Sequence, residues 1–152
     1  MFKDQVITEI LWILIAVLIA LAVLAPVILS VGEFQYQYEN ALIVFGFITI
    51  LRLLFFHKQA PWLGPKPIKG ALCIAMIPVV LFTILNINNV QTFVDANGFA
   101  ALFGGIESEQ ITQWGRYVRN EVIFFGSGLL ICAAILPIIL IQQVWRQVKG
   151  LA

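Results

Sequence analysis

Arg52, His57, Cys73 and Cys132 are the residues from which this chain could build a reactive site. Arg52 is the charge that falls clearly inside a long apolar run, Ala41 to Phe56. A charge in hydrocarbon costs at least about 2.5–3.5 kcal/mol on insertion scales, so it needs a partner or a route to water. It stands five residues before His57, about 8 Å by helical rise. Its side chain can snorkel over most of that distance. The sharper expectation is a partner inside the bundle. Glu9 lies at the same edge of the neighbouring apolar run, so a Glu9–Arg52 pair linking the first two helices is expected. A lipid phosphate or a partner's carboxylate is the alternative acceptor.

His57 is the single histidine. One imidazole cannot ligate haem from both sides within the chain. Beside Lys58 it reads as a residue at the headgroup level, with a quinone contact as the alternative. Cys73 sits near one edge of its run and Cys132 near the middle of another. That difference in depth argues against a disulfide, which needs close Cα atoms. Two cysteines and one histidine at these depths do not make a zinc site. Glu107 and Glu109 are two apart and so point to different faces of a helix. The chain has no calcium-loop pattern, nucleophile elbow, phosphate loop, His-Glu-x-x-His or Cys-x-x-Cys. The expectation is therefore no cofactor, no metal and no catalytic set.

The composition says what must position these residues. Of 152 residues, 61% are hydrophobic and 11% charged, with a net charge of +1 and a mean hydropathy of +0.98. Soluble domains average about 45–50% apolar and about 25% charged. So oily a chain cannot hide its surface in one small soluble core. A disordered chain needs the opposite composition, and a near-neutral charge leaves no footprint for nucleic acid. The expected class is an all-α integral membrane protein whose first partner is the lipid bilayer.

Four apolar runs fit spanning helices. Ile10 to Leu29 is twenty residues with no charge or amide, about 30 Å of helix, the thickness of a hydrocarbon core. That length argues against a cleaved signal peptide. The other runs are Ala41 to Phe56, Gly70 to Leu85 and Val122 to Ile141. The runs are continuous, whereas a barrel needs short alternating segments. The predicted helices cover about 8–31, 39–57, 69–88 and 118–145, in one membrane domain spanning 1–152. Pro26, Pro78 and Pro137 fall inside three of them and predict kinks.

Basic residues set the expected orientation. Lys3, Arg52, Lys58, Lys66, Lys69, Arg146 and Lys149 fall on one side, against Arg116 and Arg119 on the other. Positive residues favour the cytoplasm. Both termini are thus expected inside, in a bacterial inner (cytoplasmic) membrane.

The outer loop over about 89–117 is long for a featureless connector. Phe93, Val94, Phe99, Leu102 and Phe103 form an apolar stripe, stopped by Gly104 and Gly105, and Trp114 follows at headgroup level. An amphipathic helical segment is expected there, lying at the membrane surface or capping the bundle, and available to dock a partner. Ala16 and Ala20, Ala71 and Ala75, and Gly128 and Cys132 are small-xxx-small steps that let helices approach closely.

These features rank three functions. The first is a non-catalytic accessory subunit of a larger inner-membrane complex, packed on other integral membrane subunits. The alternative is a small homo-oligomeric transporter or channel, whose path would have only Thr49, Thr83 and Ser127 in mid-span. The second alternative is a lipid- or quinone-interacting enzyme using Arg52 and His57.

Overall fold

The computed structural model describes residues 2–56, 60–104 and 109–150. Among the described residues, four helices are long and apolar enough to cross a membrane. They are α1 (Phe2–Val31), α2 (Gln37–Phe56), α3 (Lys66–Asn97) and α4 (Glu109–Val148). Short 3-10 turns at Pro61–Leu63 and Phe99–Phe103 join α2 to α3 and α3 to α4. The helices alternate in direction, so one end of the bundle carries the start of α1 and the end of α4. The loop at Gly32 to Tyr36 lies at the opposite end.

α4 is the central element, packed on α2 and α3, while α1 packs chiefly on α2. The sequence of α4 explains this. Ile111, Gly115, Val118, Val122, Gly126, Leu129, Ala133, Leu136 and Leu140 are buried. They recur every three or four residues, the spacing that keeps one stripe of a helix on one side. In α3 the buried residues Lys69, Met76, Thr83 and Val90 are seven apart, the repeat of a left-handed seam.

α3 runs further than its composition predicts. Asn86, Asn88 and Asn89 suggest an end near 88, with a separate surface segment over 89–117. The helix instead continues to Asn97. Val90 and Val94 prolong the buried seam, and Asn88 and Asn89 point outward. Burial of one face holds a helix together even through residues of modest helical propensity. Gly98, at φ 79°, ends it, and its N–H donates to Val94 O over 2.8 Å. Only glycine takes that conformation without steric cost.

The apolar stripe expected to dock a partner is buried within the chain. Phe103 packs on Phe34 with ring centroids 5.9 Å apart, and Phe93 meets Tyr36 at 5.6 Å. Leu102 and Val94 are buried, while Phe93, Phe99 and Trp114 are half-buried. Gln35 N donates to Leu102 O over 3.0 Å, tying the 3-10 turn to the α1–α2 loop. The turn thus caps the end of the bundle. A short apolar segment beside open helix ends buries more of its surface there than it would by lying free.

Close packing falls where α4 meets its neighbours. A Cβ added at Gly115 would lie 2.6 Å from Cβ of Phe99. At Gly126 it would meet Cδ1 of Ile87 at the same distance, and at Gly128 the Phe47 ring at 2.7 Å. Ile87 can swing its terminal methyl aside, whereas Cβ of Phe99 is fixed to backbone. Gly115→Ala is therefore expected to cost about 1–2 kcal/mol by overpacking, and more than Gly126→Ala, measured by unfolding in detergent micelles.

Ala16, Ala20 and Cys132 are also buried. Ala71 and Ala75 are not in a close packing step within this chain. They lie on the exposed face of α3, about 200° and 240° around the helix from Lys69 at 100° per residue.

Candidate functional site

α2 carries two polar attachments, one near each end. The first is Arg52, whose side chain is 7% exposed. Its Nη1 donates to Glu9 Oε2 over 2.5 Å, and its Nη2 to Glu9 Oε1 over 2.6 Å. The guanidinium and carboxylate are thus joined by two parallel bonds, the strongest arrangement open to this pair. The Trp12 ring lies 5.3 Å from Cζ of Arg52, adding a cation–π contact. α1 and α2 bring the pair together because they are antiparallel neighbours joined by a short loop.

The second attachment joins α2 to α4. Asn40, fully buried, donates from Nδ2 to Glu121 Oε1 over 3.1 Å. Asn40 Oδ1 and Glu121 Oε2 have no donor among the described residues. The pair lies twelve residues from Arg52 along α2, about 18 Å by helical rise. Between the two attachments the packing is apolar, with Ile43, Val44, Ile50, Leu129 and Leu136 buried.

The hydroxyls near mid-helix are turned to their own backbone. Thr49 donates to Phe45 O over 2.8 Å, Thr83 to Val79 O over 2.7 Å, and Ser127 to Phe124 O over 3.1 Å. Cys73 and Cys132 are free thiols, and Cys73 Sγ lies 3.9 Å from the carbonyl of Pro137. No group of three metal-ligating side chains of the His, Cys, Asp and Glu types occurs among the described residues. His57 and Glu107 fall outside the described residues. Glu109 is exposed, and Asp95 lies 3.7 Å from Arg119 in an exposed pair.

No protein-family model, curated protein or solved structure matches this chain. Arg52 is committed on both of its terminal nitrogens and stands with Glu9 and Trp12. With Trp12, Ile13, Ala16, Ile48 and Thr49 it lines a small, mostly apolar pocket of about 10 Å³.

Sequence reasoning missed three residues. Glu121 reads as a solvated acid at the edge of the fourth run. Yet it follows the seam residue Val118 by three, a position that shares its face. Asn40 reads as loop, although it precedes the buried Ile43 by three. Lys69, likewise read as one basic loop residue among several, is 5% exposed on the seam of α3.

Proposed function

We propose that this chain is an integral membrane protein serving as a non-catalytic packing subunit of a larger membrane assembly. Both termini face the cytoplasm, and the membrane is a bacterial inner membrane. The observation that carries the reading is the disposition of the polar groups. Arg52, Glu9, Asn40 and Glu121 tie helices to each other. Thr49, Thr83 and Ser127 bond to their own helices. A transport path needs polar groups facing a common route through the middle, and an apolar layer separates the two attachments. A reaction at Arg52 needs a donor that a substrate can reach, whereas Nη1 and Nη2 are held by Glu9 and the unpaired Nε is buried.

The outward faces suit assembly. α1 exposes Ile10, Leu14, Leu18 and Leu21, and α3 exposes Ile74, Ile77 and Leu81. Ala71 and Ala75 lie at one side of that face of α3, an exposed small step not packed on this chain's own helices. A foreign helix can approach closely there. The test is purification from the native membrane in mild detergent, with mass spectrometry of what accompanies the chain. A stoichiometric integral membrane partner is expected. Ala75→Leu is expected to reduce its recovery about tenfold, the effect of roughly 1.4 kcal/mol of lost helix contact. A chain recovered alone or only as a homo-oligomer overturns the subunit reading.

A further inference from the structure

At the end of the bundle that carries the termini, α3 and α4 leave a groove of about 260 Å³, several times the ~30 Å³ of one water. Its rim is the first turn of α3, with Lys66 and Lys69, and its wall is Cys73, Ile141, Val144 and Trp145. The lining is almost wholly apolar, bordered by the two lysines. The lysines stand at the helix end, and the surface below them is apolar.

Lys69 is the decisive residue. It lines this groove at 5% exposure, and no acid lies within ion-pair distance of it among the described residues. Its packed stem holds the ammonium at the groove's edge with no counter-charge in reach, so an anion seated there would complete a pair that the described residues do not. The described acid side chain at this end is Glu9, which Arg52 already holds on both oxygens. Lys66 is exposed beside the groove, and Lys149 lies over the Trp145 ring at 4.8 Å. α3 also opens with no side-chain cap, and although Pro67 in its first turn brings no N–H, the helix start places a partial positive charge at the same end.

We propose that this groove binds an anionic glycerophospholipid. The phosphate sits on Lys69 and Lys66 at the start of α3. An acyl chain runs down the Cys73, Ile141 and Val144 wall, with the Trp145 indole at the level of the glycerol. Charge complementarity selects the headgroup and the apolar wall selects a lipid over a free anion. Basic pockets between helices at the cytoplasmic edge recognise lipid headgroups in this way. The inference rests on the proposed bilayer setting and not on the proposed partner.

Purified chain in neutral detergent is titrated with dioleoyl phosphatidylglycerol, dioleoyl phosphatidylcholine or inorganic phosphate, and bound species are counted by native mass spectrometry. Phosphatidylglycerol is expected to bind at least tenfold more tightly than phosphatidylcholine. Lys69→Gln and Lys66→Gln are each expected to weaken it about fivefold, with Arg116→Gln at the opposite end without effect. Lys66 is exposed, so its variant keeps the test valid should Lys69→Gln fail to fold. Equal binding of the two lipids, or phosphatidylglycerol binding unchanged in Lys66→Gln and in any folded Lys69→Gln, overturns the proposal. Lysine-dependent binding of inorganic phosphate as tight as that of phosphatidylglycerol also overturns it, since the site would then take a free anion.

Discussion

Arg52→Ala is expected to lower the unfolding free energy by about 3 kcal/mol, the lower end of the range for breaking a buried ion pair. The side chain is 7% exposed and its partner Glu9 25% exposed, so the stranded carboxylate keeps some access to solvent. The loss comes less from the attraction itself than from leaving one charge without the other. The double variant Glu9→Gln with Arg52→Met removes both charges, and it should recover most of the loss. Arg52→Lys should fall between, because an ammonium cannot make the two parallel bonds that the guanidinium makes. Unfolding of the purified chain in mixed micelles against increasing sodium dodecyl sulfate reads all three. If Arg52→Ala stays within about 0.5 kcal/mol of the parent, as ordinary surface substitutions do, the pair contributes no stability and Arg52 is a snorkelling residue.

Asn40→Ala is expected to cost about 2–3 kcal/mol. Two effects add: Glu121 loses its buried donor, and a fully buried side chain leaves a cavity. Glu121→Gln keeps an acceptor for Asn40 Nδ2, so it should change stability by less than about 1 kcal/mol. The two pairs share α2 but lie about 18 Å apart, so the effects of Asn40→Ala and Arg52→Ala should add within about 0.5 kcal/mol. The same micelle titration measures the sum. A double variant much less stable than that sum would mean that the two ends of α2 are coupled through the apolar layer.

Much of the architecture was legible in the residues. The four helices follow from apolar runs long enough to span hydrocarbon, and their turns from glycine and proline. The Glu9–Arg52 juxtaposition follows from a short loop. With nine residues from Gly32 to Asn40, α1 and α2 must return alongside each other, and residues near the same edge must meet. The tight return has a local cost that the sequence does not announce. Tyr36 takes a positive φ of 71°, a conformation that disfavours a side chain, and its ring rests on Phe93.

The residue types alone thus set the number of helices and the pairing of immediate neighbours, but not where α3 ends or α4 begins. The tertiary structure decided which way each helix faces. Asn40 and Glu121 are 81 residues apart and meet only because α2 and α4 lie side by side with those faces opposed. Lys69 turns inward, Ala71 and Ala75 turn outward, and the stripe over Phe93 to Phe103 closes on the chain itself. The physical reason is the uniformity of the helices. A soluble helix declares its inner face by contrast between polar and apolar sides. Helices that are apolar nearly all round carry no such contrast. Their rotation is set by close packing and a few polar contacts between helices, and those exist only once the whole bundle has assembled.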